Sequence, residues 1–135
     1  RDPDRPLLAV PTVRTAPYPG FPTDAQAPVM AALCTARGST VFVENLFDSR
    51  FRHVEELRRM GADITTEGRV AVVRGVERLR GAHVAARDLR GGGALAVAAL
   101  SAEGESVLAG VDHIDRGYEA LEAMLTRLGG RARRG

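Results

Sequence analysis

The chain has 135 residues, enough to bury one hydrophobic core, and 44% hydrophobic with 27% charged residues excludes the disordered and membrane-embedded classes. A net charge of +2 is too small to mark a nucleic-acid binder, although a pI near 9.3 leaves room for local anion sites. All 19 basic residues are arginine, and the one cysteine, Cys34, excludes an internal disulfide and suits a reducing cytosol. The opening residues from Arg1 to Pro6 lack the apolar core of a signal peptide, and no run approaches a membrane span, so the expected location is cytoplasmic.

In chain order, Leu7 to Val10 is expected as a short apolar strand, followed by a loop containing Pro17, Pro19 and Pro22. Thr23 is placed at the N-cap of a helix, with Gln26 completing a capping box. Ala25, Val29, Met30 and Leu33 form its inward stripe, and Gly38 ends it. Pro28 falls inside that helix, where it frees the Asp24 carbonyl and bends the first turns. Thr40 to Glu44 alternates as a strand, and Phe51 to Met60 reads as a helix stopped by Gly61. Ala62 to Thr65 and Val70 to Val73 make a hairpin around Glu67-Gly68. The first unit is therefore βαβαββ.

The pattern then restarts, with a strand at His83 to Ala86, a helix from Leu89 to Ala102, a strand at Ser106 to Ala109 and a helix from Asp115 to Leu128. A shift of 66 residues puts Gly38 on Gly104, Val41 on Val107, Asp24 on Arg90 and Arg50 on Arg116. The second copy lacks a closing hairpin. One partial lobe, 1–135, is thus expected, with a first unit at about 7–75 and a truncated second at about 82–135.

Four charged residues fall at repeat-equivalent helix starts. Asp24 needs no function there, because a carboxylate in a first turn is favoured by roughly 0.3–1 kcal/mol. Arg50, Arg90 and Arg116 oppose the helix field instead, and guanidinium forks beside helix N-termini make a site for phosphate or carboxylate. Gly91-Gly92-Gly93 after Arg90 lets a ligand approach the backbone, although a flexible loop explains the glycines equally. His53, His83 and His113 lack the companions of a metal site, and Cys34 reads as a small buried hydrophobe.

Five separated segments carry a resemblance: Thr15 to Asp24, Arg50 to Leu57, Arg59 to Ala62, Asp88 to Arg90 and His113 to Glu119. In order and spacing they resemble the C-terminal part of the UDP-N-acetylglucosamine 1-carboxyvinyltransferases, an enolpyruvyl transferase family, from about Val13 onward. The resemblance implies an inside-out α/β barrel built of repeated βαβαββ units, three to a lobe, of which this chain holds about two. It implies transfer of the enolpyruvyl group of phosphoenolpyruvate to the 3′-hydroxyl of UDP-N-acetylglucosamine, the first committed step of peptidoglycan synthesis.

On matching positions, Asp24 is the implied general base at that hydroxyl, and Leu46 a backbone contact to the nucleotide-sugar. Arg90 and Arg116 are the implied holders of the phosphate and carboxylate of phosphoenolpyruvate, with Arg50 lending charge nearby. No cofactor or metal is implied; the partners are the two substrates and the remainder of the transferase, not nucleic acid or membrane. The family's reactive cysteine belongs to the other lobe and Cys34 does not match it; its phosphate-contacting lysine has no counterpart in a chain without lysine. The chain alone is therefore expected to be inactive. Two other classes remain open, a non-catalytic remnant that binds a nucleotide-sugar or a protein, and a general acidic-ligand or nucleic-acid binder using its arginines, the latter disfavoured because no aromatic platform accompanies them.

Overall fold

The alternation of Thr40 and Phe42 against Val41 and Val43 produces the central strand of the chain. In the computed structural model, which describes residues 6–46, 51–115, 117, 121–127 and 130–133, this strand is β2, Ser39–Val43, with Thr40 and Phe42 buried. β1, Thr12–Arg14, runs parallel to it with Val13 opposite Phe42. On its other side lies the hairpin of β3, Asp63–Glu67, and β4, Val70–Arg74, giving the order β1-β2-β4-β3. The hairpin turn requires a positive φ, and Gly68 supplies it at 57°.

Two helices complete this region: α1, Gln26–Leu33, between β1 and β2, and α2, Val54–Arg59, between β2 and β3. A second sheet pairs β5, His83–Ala85, with β6, Val107–Ala109, in parallel, and α3, Leu89–Ser101, connects them. Local features recur between the two regions. A single bridge from Leu8 to Arg37 precedes the β1–β2 pair, and one from Arg80 to Glu103 precedes β5–β6. Two short helices follow, α4 at Val111–Asp115 and α5 at Leu121–Arg127.

The core lies between α1, α2, α3 and the larger sheet, where Met30, Phe42, Leu57, Met60 and Leu79 are wholly buried. α1 and α3 form the most extensive helix pair. Small residues permit that closeness: α1 buries Ala27 and Ala31, and α3 buries Gly91, Gly92, Gly93, Ala94 and Ala98. The three glycines are thus helical and buried, not a flexible loop. A methyl group on Gly92 would stand 2.5 Å from Ile114 Cγ1 and 3.2 Å from Ala86 Cβ, so the backbone's close approach is used by α4 itself.

Several expectations need correction. The first strand is Thr12–Arg14 rather than Leu7 to Val10, whose Leu8 is 66% exposed; apolarity there reflects surface rather than core. The capping box does not form. The chain enters α1 through a 3₁₀ turn, Thr23–Ala25, without a side-chain cap, because the Thr23 hydroxyl is drawn to a buried carboxylate instead. Pro28 consequently falls in the first turn of α1, where its missing N–H costs little. α1 ends at Leu33, and Gly38, with φ 105°, serves the turn into β2. Of the expected helix over Asp115 to Leu128, the described residues show Leu121–Arg127 as α5, while Asp115 closes α4, which follows the turn at Gly110 (φ 75°).

Candidate functional site

The repeat brings its two equivalent charged residues together. Asp24 lies in the 3₁₀ turn before α1, and Arg90 is the second residue of α3. Because α1 and α3 pack side by side, Arg90 Nε donates to Asp24 Oδ1 at 2.5 Å across 66 residues of chain. The pair is solvated, its side chains 36% and 70% exposed, so it contributes little to stability. Chemically it sets a carboxylate acceptor beside a guanidinium whose pairing among the described residues uses Nε, at the positive end of a 13-residue helix.

The start of α3 is built by Asp88. Its extended backbone (φ −154°, ψ 173°) ends the incoming strand, and its carboxylate accepts from the Gly91 N–H at 2.6 Å. This cap holds Arg90 one residue into the helix. A shallow depression lined by Arg52, His53, Arg87, Asp88 and Gly91 opens beside it and takes in neither Asp24 nor Arg90.

The other expected contact, Leu46, follows β2. Its N–H donates to Glu44 Oε2 at 3.0 Å, so a backbone contact from Leu46 to a ligand runs through its carbonyl oxygen. Arg50 and Arg116 lie outside the described residues. Among the described residues, the structure therefore brings Asp24 and Arg90 together and links Leu46, through Glu44, to Thr23 and Gln26 on either side of Asp24.

Glu44 is the residue that sequence reasoning missed. It is 2% exposed, yet Thr15 Oγ1 and the Leu46 N–H donate to its Oε2, and Thr23 Oγ1 and Gln26 Nε2 donate to its Oε1. Thr15 in turn accepts from the Asn45 N–H at 2.8 Å. The signal was available: strand alternation puts Glu44 on the face of Thr40 and Phe42, which is inward. Glu56 is a second buried carboxylate, 1% exposed, on the inward face of α2; its Oε2 accepts from the Ala85 N–H of β5 at 3.1 Å. Arg59 and Arg87 approach it at 3.7 and 3.8 Å.

Two titratable groups are held neutral by burial. Desolvation pushes the His53 imidazole down from its ordinary value near 6.5 to about 4, against the opposing charge of Asp88. Its Nε2 lies 3.3 Å from Met30 Sδ. Burial pushes the Cys34 thiol up to about 12, so it is no nucleophile at neutral pH. Among the described residues, no three His, Cys, Asp or Glu side chains are grouped to hold a metal ion, and no helix is long and apolar enough to cross a membrane.

Known proteins resemble this chain in sequence and in fold. The chain is 55% identical over 121 residues to UDP-N-acetylglucosamine 1-carboxyvinyltransferase 2 of Caldanaerobacter subterraneus subsp. tengcongensis, covering 90% of this chain and 29% of that protein. To the UDP-N-acetylglucosamine 1-carboxyvinyltransferase of Desulfofundulus thermocisternus it is 58% identical over 119 residues, covering 88% and 49%. The chain thus spans less than half the length of each. Among solved structures, the enolpyruvyl transferase NikO from Streptomyces tendae superposes with a TM-score of 0.82 at 29% identity, over 96% of this chain and 30% of that one. The fold is that of part of an enolpyruvyl transferase. With the model for EPSP synthase (3-phosphoshikimate 1-carboxyvinyltransferase) matching residues 5–125, the chain belongs to that family of enolpyruvyl transferases.

Proposed function

We propose that this chain forms part of a two-lobed transferase that moves the enolpyruvyl group of phosphoenolpyruvate to the 3′-hydroxyl of UDP-N-acetylglucosamine, releasing phosphate. It supplies one complete βαβαββ unit, about 7–75, and a partial one, about 82–135, of a single lobe. The reaction is the committing step of peptidoglycan synthesis in the bacterial cytoplasm, with the remainder of the transferase as partner. The observation that carries this reading is the contact between Asp24 and Arg90 at two packed helix starts. The names of the relatives, 55% and 58% identical, support the choice of substrates.

In this reading Asp24 takes the proton of the acceptor hydroxyl, while Arg90 and Arg116 hold the phosphate and carboxylate of phosphoenolpyruvate and Arg50 adds charge nearby. Without substrate, Arg90 and Asp24 neutralise each other. Giving up a solvated pair costs at most about 1 kcal/mol, whereas each charge-assisted hydrogen bond to the incoming anion contributes about 1.5–3 kcal/mol. The anion wins Arg90, and Asp24 is released beside the hydroxyl. Preorganised donors of this kind contribute most where charge develops during addition and elimination.

The test is phosphate release by the complete polypeptide containing this segment. Asp24→Asn keeps the size and removes the base, and kcat falls by roughly 10²–10⁴ with much smaller change in nucleotide-sugar affinity. Near-normal kcat would reduce Asp24 to a turn residue. The 135-residue chain alone releases no phosphate above background; turnover by the pure chain would defeat the two-lobe reading.

A further inference from the structure

We infer that Glu44 is a positioning residue that fixes the Asp24 turn and the Leu46 backbone in one register, and that it acts through its reach rather than its charge. The inference rests on the reading above, in which both segments face substrate. Its basis is the way four donors among the described residues divide between its two oxygens. Oε1 takes Thr23 at 2.8 Å and Gln26 at 3.3 Å, the residues on either side of Asp24. Oε2 takes Thr15 at 2.8 Å and the Leu46 N–H at 3.0 Å. One oxygen therefore holds the turn, and the other holds the strand end.

Neither the turn nor the start of α1 has a side-chain cap. The Asp24 carboxylate itself is 70% exposed and, among the described residues, bonded to Arg90 alone. If Arg90 leaves for a ligand, the Thr23 and Gln26 bonds to Glu44 are what keep Asp24 in place. Among the described residues, Glu44 bonds Thr23 and Gln26 rather than Asp24 itself, so it acts through the residues flanking Asp24.

The four described donors to Glu44 are all uncharged, so charge and reach can be varied separately at this site. Gln26 Oε1 is buried without a hydrogen-bond partner. In Glu44→Gln, the new amide NH₂ can take the place of Oε1, Gln26 can turn its own amide to present Oε1 as acceptor, and the Thr23 hydroxyl can rotate to accept. The remaining oxygen still receives Thr15 and Leu46. Glu44→Asp keeps the charge but is one methylene shorter, and it cannot meet both pairs of donors.

The experiment uses the complete transferase with steady-state kinetics for both substrates, and amide exchange over 23–26 and 44–46. Glu44→Gln retains kcat within about threefold, whereas Glu44→Asp loses about 10–100-fold, the scale of an ångström-level misplacement. Thr23→Val lowers kcat by about fivefold, the loss of one part-buried hydrogen bond, without raising KM for the nucleotide-sugar. Glu44→Asp raises that KM as well, because Leu46 moves. The reverse order, with Asp tolerated and Gln crippled, overturns the inference in favour of an electrostatic role. Wild-type kinetics in Glu44→Asp while Asp24→Asn is crippled overturns it and leaves the Asp24 reading intact. Wild-type kcat in Asp24→Asn sinks that reading instead. Amide exchange then decides the position of Glu44: joint release of both segments in Glu44→Asp, but not in Glu44→Gln, upholds it, and unchanged exchange overturns it.

Discussion

Asp24 before α1 and Arg90 in the first turn of α3 lie 66 residues apart at equivalent places, and the two helix starts are held by opposite means. α3 caps itself: Asp88, next to it in sequence, accepts from the Gly91 N–H. α1 has no side-chain cap, and Glu44, 18 residues beyond Gln26, holds its entry from the end of β2. A local cap costs one residue and costs little to lose. A remote buried carboxylate ties several segments into one unit, and losing it orphans every donor at once. The consequence is that the Asp24 side of the pair depends on tertiary structure, whereas the Arg90 side is fixed by four consecutive residues.

That difference can be broken by substitution. Glu44→Ala leaves the Leu46 N–H, the Gln26 amide and two threonine hydroxyls facing a cavity, at about 1–3 kcal/mol for each donor left unsatisfied. The expected loss is about 3 kcal/mol or more in denaturant unfolding. A loss near that of an ordinary cap would mean the two starts are equally local.

Acid supplies the next effect. His53 lies against Met30 of α1 and near Asp88 of α3, with its folded value at about 4. The unfolded chain takes up the proton near 6.5 and the folded chain does not, so this stability is complete above 6.5 and is lost as pH falls to 4, by up to about 3 kcal/mol. Thermal melts between pH 7.5 and 4 should show the decline, and His53→Leu should flatten it. An unchanged slope in that variant would assign the decline to other groups.

Asp88→Ala removes the local cap and should cost about 1 kcal/mol, a third of the Glu44 effect. Arg90→Gln is the smallest: it loses a solvated ion pair but relieves a cation at a helix N-terminus, and the melt should stay within about 0.5 kcal/mol of the parent. A larger loss would show that the pair does more for the fold than its exposure implies. Kinetically the same variant should weaken kcat/KM for phosphoenolpyruvate by about tenfold or more.

Periodicity carried most of the fold. β2, the β3–β4 hairpin and α3 follow from alternation, a Glu-Gly turn and a run of small apolar residues, each local to its own segment. The first strand was misplaced because Leu7 to Val10 is more apolar than Thr12–Arg14, and only pairing with β2 selects the latter. The Asp24–Arg90 contact was half legible: the repeat made the two equivalent, but equivalence does not imply touching, which required α1 and α3 to pack. Glu44 and Glu56 were hidden for a different reason. Charge suggests solvent, and only the inward positions beside Phe42 and Leu57 contradict that.

Cys34 has a practical consequence. It is the one thiol of the chain, it is wholly buried, its Sγ–H donates to the Met30 carbonyl, and its ionisation is pushed up to about 12. Tyr18, by contrast, is 98% exposed, on the proline-rich loop that leads to Asp24. A cysteine introduced by Tyr18→Cys should react with maleimide in the folded chain while Cys34 stays dark. The loop can then carry a fluorophore without any cysteine having to be removed, and labelling of Cys34 would itself report that the core around Met30 had opened.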